Sequence, residues 1–356
     1  MNTTNRFHHK TFPTRSLMGV VIASALTAIP ATVHAAYVTG GAPIERLNAA
    51  NGVNIQVREM TKRMSDGKDV KFWVWCGGMG GGGMGGGGMG GCQLGGPTLE
   101  LGVGQQANVT LNMMMAPQEA PPYHGHTIHP HGLDVPQSED GVPETGAAVL
   151  GDNYSFNVDS RYVGAHAYHC HVHTVKHLEM GMYAAFVVKD VDSRGNFLNV
   201  INRGGPSYDY EWNMVLSTVD PAYHTATGDS TVFADYNPKY FLLNGNEGKS
   251  RTTPAENVTA AAGKKLASRL IGMQSVNSTF EIRNASGSSQ SFTVYNKDGF
   301  KLGVPVTTNK LDLSPGQTAD LMVTLPSSAG SWYPQVTYKN LRNGGSYATV
   351  YSRVNF

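Results

Sequence analysis

The sixteen residues from Ala167 to Met182, AYHCHVHTVKHLEMGM, hold four histidines, one cysteine and two methionines. Thiolate and imidazole together select copper over calcium or magnesium. Spacing then divides the run. If Ala167 to His173 is a β-strand, alternate side chains face opposite ways, so Cys170 lies on one face and His169, His171 and His173 on the other. One strand would serve two sites. A second cluster, HGHTIHPHG from His124, repeats the division: His129 and His131 share a face, and His126 has the opposite parity. If the two segments pair, His126 meets Cys170 on one side, while His129, His131, His169 and His171 gather on the other. One thiolate, two imidazoles and a weak thioether make the trigonal copper site that transfers single electrons. His177 and Met182, expected in a loop beyond the strand, can fold back to complete it. Zinc is the competing metal, but the paired CxxC spacing of structural zinc is missing.

The elements that must position these groups are short strands. Runs such as VNIQV, KFWVW, YAAFVV, EWNMVL and ADLMVTL are separated by Gly, Pro, Asn and Asp, the pattern of β-sandwiches. The best helical candidate, AAGKKLASRLIG, is heavily interrupted. A polar stretch from Asn199 to Tyr208 reads as a linker, giving a metal-bearing domain over 36–198 and a second over 199–356. The first holds nine of the thirteen histidines and all three cysteines; the second holds only His224, read as structural. Ahead of both, Arg6, Lys10 and Arg15 precede an apolar run, Leu17 to Ile29, with Val33 and Ala35 placed for cleavage after Ala35. That run is shorter than the roughly 20 residues that span a bilayer. Residues 1–35 are therefore expected to be a signal peptide and the protein periplasmic or secreted. A net charge of +1 with 15% charged residues excludes nucleic acid and acidic membrane surfaces as expected partners.

One insert, CGGMGGGGMGGGGMGGC from Cys76 to Cys92, is too rich in glycine to build a core. It reads as a loop closed at its neck by a Cys76–Cys92 disulfide, suited to an oxidising compartment. Met79, Met84 and Met89, five residues apart, add the option of a soft thioether site for Cu(I). Met113, Met114 and Met115 read as packing residues, and His124, His166 and His173 as bystanders rather than ligands.

HTIHPHG resembles the HxxHxHG motif of multicopper oxidases, and HCHVHTVKHLEMGM resembles their HCHxxxHxxxGM motif. DGVP follows at the family's distance, with Asp140 nine residues beyond His131, and GPTLELGVGQQANVTLNM, YFLLNG, RLIG and LDLSPGQTADLMVTL resemble further family segments. The resemblance implies an all-β chain of two tandem cupredoxin-like, Greek-key β-sandwiches. It implies type 1 copper on His126, Cys170, His177 and Met182, type 2 copper on His129, and type 3 copper on His131, His169 and His171. Asp140 would relay protons, and Cys170 with its two histidine neighbours would carry electrons between the groups. The implied partners are dioxygen and a reductant: a phenol, Cu(I) or a redox protein.

Two departures qualify the resemblance. Six residues separate Cys170 from His177 where most of the family has four, which resembles a step toward copper nitrite reductases. His173 is the alternative ligand in that segment, but its parity turns it away from Cys170. The family's trinuclear cluster also draws eight histidines from two domains, and this chain offers four. A homodimer sharing the cluster across a two-fold axis would restore the number. The rival reading is a copper-binding electron carrier or copper-handling protein with a partial cluster. Nitrite reduction is weaker, because those enzymes carry HCA where this chain has His169, Cys170 and His171.

Overall fold

A computed structural model describes residues 36–41, 44–77, 92–113, 125–143, 153–224 and 236–356. The expected signal peptide, Met79, Met84, Met89, Met114, Met115 and His124 lie outside the described residues. The described residues, from Ala36 onward, form one compact unit, almost entirely of strands. No helix among the described residues is long and apolar enough to cross a membrane.

The architecture is two tandem cupredoxin-like β-sandwiches. In the first, one sheet runs in the order Arg46–Asn48, Thr98–Gly102, Tyr183–Lys189, Gly164–His169, His129–His131; the other pairs Asp69–Gly77, Val53–Arg63, Val109–Asn112 and Asn153–Tyr154. The second sandwich has one sheet built on Tyr210–Val219, Lys265–Gly272, Thr318–Thr324, Phe292–Lys297 and Phe300–Thr308. Its other sheet is centred on Ser278–Asn284 and Ser331–Asn340. Lys265–Gly272, within the interrupted helical candidate, is thus a central strand.

Strand alternation explains how the sandwiches join. Along Tyr183–Lys189 every residue is buried, yet the two faces go to different cores. Ala184, Phe186 and Val188 pack inside the first sandwich, while Tyr183 and Ala185 pack against Val215, Val219 and Ile271 of the second. Phe72 and Val74 likewise face outward to that shared layer, and Trp73 and Trp75 inward. A strand covered on both sides reads as a nearly continuous apolar run, as YAAFVV does.

The strand expected over Ala167–His173 ends earlier. It spans Gly164–His169, and Cys170 N adds one last bond in the same register, to the Met182 carbonyl at 3.1 Å. His173 then takes a left-handed conformation (φ 43°) and leads into a short helix, Thr174–Glu179. His177 therefore sits on a helix, not in a loop. Cys76 and Cys92 form a disulfide across a sequence separation of 16 residues. Replacing both with serine is expected to lower unfolding stability by about 3 kcal/mol, from the entropy of the opened loop. Paired urea denaturation curves with and without the bridge check this.

Candidate metal centre

Cys170 is fully buried, and its Sγ lies 3.1 Å from His177 Nδ1 and 3.8 Å from His126 Nδ1. The two Nδ1 atoms are 3.3 Å apart. Two imidazole nitrogens and a sulfur from three separate segments thus converge within 4.8 Å, in a site closed to solvent. Three elements hold them there. His126 leads into the edge strand His129–His131, Cys170 follows the strand Gly164–His169, and the short helix returns His177 over the sulfur. Met182 is also fully buried, and its backbone pairs with Cys170 and His177. Trp73 closes one side: its indole meets His177 at 5.3 Å and His126 at 6.0 Å, and its backbone N–H donates to the Met180 carbonyl at 2.8 Å. Gly181, at φ 107°, passes so close to Leu94 that an added Cβ would lie 2.6 Å from its Cδ1.

The second group lies at the sheet edge. His129, His131 and His169 bring their ring nitrogens within 4.8 Å of one another, and the His171 ring lies 5.1 Å from that of His129. Antiparallel pairing puts His129 opposite His169, so register assembles the group. Backbone carbonyls fix two tautomers: His129 Nδ1 donates to Asp140 O at 2.7 Å, and His169 Nδ1 to Cys170 O at 2.9 Å. That leaves Nε2 of each as the unprotonated nitrogen, the form a metal ligand takes, with His169 Nε2 facing His131 Nδ1 at 3.2 Å. Asp140 Oδ1 also approaches His129 Nδ1, at 3.2 Å. Burial, chiefly, lowers the pKa of His169 to about 3 and shifts that of His131 downward. Both rings are neutral at ordinary pH, the form that binds metal.

One atom tests the fit of a metal. His171 Nδ1 is buried and has no hydrogen-bond partner among the described residues. A buried polar atom so placed is costly unless something satisfies it. The donor set itself, imidazoles and one thiolate, suits copper.

Beside His131 a cleft of about 280 Å³ opens between the sandwiches, walled on the far side by Asp298, Gly316 and Gln317. That wall contributes no histidine. His166 is a bystander to the first group, with Nε2 donating to the Tyr162 carbonyl at 2.7 Å. His173 packs its ring 6.0 Å from that of His177.

Sequence reading missed Trp73, Glu179 and the buried placement of His224. Trp73 had a signal in the alternation of KFWVW; Glu179 had none beyond its place between His177 and Met182.

Two family models described as multicopper oxidase match residues 92–193 and 217–353, together more than half of the chain. Laccase-3 of Botryotinia fuckeliana is 27% identical over 277 residues, covering 72% of this chain and 54% of that protein. The chain thus spans about half the length of that curated relative. Among solved structures, the blue copper oxidase of Nitrosomonas europaea superposes with a TM-score of 0.59 at 18% identity, covering 85% of this chain and 84% of that one. The McoA multicopper oxidase of Aquifex aeolicus gives 0.61 at 15%, covering 90% and 64%.

Proposed function

The chain belongs to the multicopper oxidase family, and from that premise we propose that it is an exported copper-dependent oxidase that takes electrons from a reductant and passes them to dioxygen. The observation that carries the reading is the convergence of His126, Cys170 and His177 one residue along the chain from the imidazoles of the second group. His126, Cys170, His177 and Met182 would hold type 1 copper; His129, His131, His169 and His171 would hold type 2 and type 3 copper or a partial cluster. Copper bound there would supply one-electron chemistry, accepting electrons from the reductant and reducing dioxygen to water.

The residues divide the remaining work. Cys170 is covalently joined to His169 and His171, so the two groups are linked by a few bonds rather than by a gap through space. Trp73 and the buried face of the helix exclude water from the thiolate. Asp140, against His129 and about one-third exposed, is placed to take protons from solvent and present them at the second group. Export is supported by the N-terminal pattern and by the Cys76–Cys92 disulfide. The reductant is a phenol, a redox protein or Cu(I), the last favoured by the methionines of the glycine-rich insert.

Four imidazoles are half of the family's cluster set. Among the described residues the strand His129–His131 is the last in its sheet, and a second copy could present its own four histidines beside it about a two-fold axis. The competing function is electron carriage or copper handling without turnover, favoured by the absence of histidine from the Asp298–Gln317 wall. Nitrite reduction requires a histidine there too.

Copper stoichiometry, spectra and molar mass on one copper-loaded sample decide between these. About five coppers per dimer, an intense thiolate band and an EPR-silent pair are expected of the shared oxidase. About one copper per chain, with a type 1 spectrum alone, would establish the carrier.

A further inference from the structure

Glu179 lies two residues after His177 and three before Met182, and its side chain is 1% exposed. Its partners among the described residues all come from the second sandwich. Asp220 N donates to Oε1 at 2.6 Å, the Tyr236 hydroxyl donates to Oε2 at 3.0 Å, and His224 Nε2 stands 3.5 Å from Oε1. Tyr236 is held in turn by Thr218 Oγ1 at 2.8 Å. His224 reaches back the other way: its Nδ1 donates to the Lys71 carbonyl at 2.5 Å, and its ring packs edge-on to Phe72 at 4.8 Å. The next residue is Trp73, which hydrogen-bonds Met180 and covers His126 and His177. A buried carboxylate is expensive to keep unless donors surround it. Here the donors come from another sandwich, and the carboxylate sits on the short helix that carries one metal ligand and leads to another.

We propose that Glu179 is a positioning residue of the type 1 site. Clamped by the hydrogen bonds from Asp220 and Tyr236, with the His224 ring packed beside it, it fixes where His177 and Met182 stand relative to Cys170. The sandwich that bears no copper ligands would thereby set the geometry of the copper centre in its neighbour. The inference rests on the assignment of His126, Cys170, His177 and Met182 as type 1 ligands.

The test uses the full chain, copper-loaded, as wild type, Tyr236→Phe, Glu179→Gln and Glu179→Ala. For each, the thiolate-to-copper absorption band, the EPR spectrum, copper affinity by chelator competition and Tm are measured. Tyr236→Phe removes one oxygen from outside the ligand set, and Glu179→Gln keeps an acceptor while removing the charge. Both are expected to move the band and to weaken copper binding about tenfold, the size usual for groups that orient ligands. Glu179→Ala is expected to do more, with glutamine recovering part of the loss. A band and affinity identical to wild type in Tyr236→Phe and Glu179→Gln, with only Tm lowered, would overturn the proposal and leave Glu179 as a staple of the fold. If wild type itself gives no thiolate band, the ligand assignment fails and this inference with it, a result distinct from unchanged variants.

Discussion

Cys170→Ser is expected to abolish the intense visible band of the copper-loaded protein and to cut reductant-driven oxygen consumption by more than about 100-fold, beyond the range set by groups that only orient ligands. Cys170 is the one cysteine outside the disulfide, fully buried, with its sulfur facing both His126 and His177. Serine fits the same space. Its hydroxyl, however, stays protonated at neutral pH and is a hard oxygen donor, so it provides neither the thiolate charge transfer nor the soft ligand that copper prefers. The second group does not use the sulfur, and the Cys170 carbonyl that accepts from His169 is untouched. Copper should therefore fall by one per chain while the histidine-bound copper remains. Visible and EPR spectra, metal analysis and an oxygen electrode on the same preparations check this. A surviving band with unchanged copper would remove Cys170 from the ligand set.

Much of this site could be read from local chemistry. Imidazole and thiolate side chains are few in the chain, and adjacent positions such as His169, Cys170 and His171 point apart whatever the strand length. The structure brings the side chains of each group together even though the strand stops at His169 and the segment after it is a helix. What escaped the sequence is what depends on distant pairing. Glu179 meets Asp220 and Tyr236 across 41 and 57 residues, and nothing local in HLEMGM says that its carboxylate is buried rather than solvated. The same holds for the fold: alternating runs announced sandwiches, but not that Phe72, Tyr183 and Val215 would form a layer between them. Lys189, Glu211, Arg269 and Asp320 gave no sign of being anything but surface charges, because only the sheet order brings them together.

Those four residues carry the largest expected effect on stability: Arg269→Leu should cost about 3–5 kcal/mol, the range for breaking a buried ion pair on one side. The Arg269 guanidinium is fully buried, bonded to Glu211 and, at 2.7 Å, to Asp320. Glu211 also pairs with Lys189 of the first sandwich, which approaches Glu100 at 3.5 Å; Arg46 lies 3.2 Å from Glu100. Asp320 accepts from Ala165 N at 3.0 Å, on the strand that ends at His169. The network is thus a seam between the sandwiches, and removing Arg269 takes the cation from Asp320 and leaves Glu211 with Lys189 and Arg46. Making Arg269 and Asp320 apolar together should cost less, since Glu211 keeps Lys189 and the charges that remain are balanced. The pH dependence follows from Glu211. Burial alone would raise its pKa, but Lys189, Arg269 and Arg46 outweigh burial and hold it below the ordinary carboxylate range. Its stabilising contribution is therefore complete above the unfolded carboxylate value, about pH 4.3, and is lost only as pH falls further toward the depressed folded value. In Arg269→Leu that depression weakens, so Glu211 takes up a proton more readily in acid. The stability gap between wild type and variant should then be widest at neutral pH and narrow as pH falls below about 4.3. Urea denaturation of both proteins across that interval measures it, and a gap independent of pH would mean that lost packing, rather than stranded charge, is what Arg269 prevents.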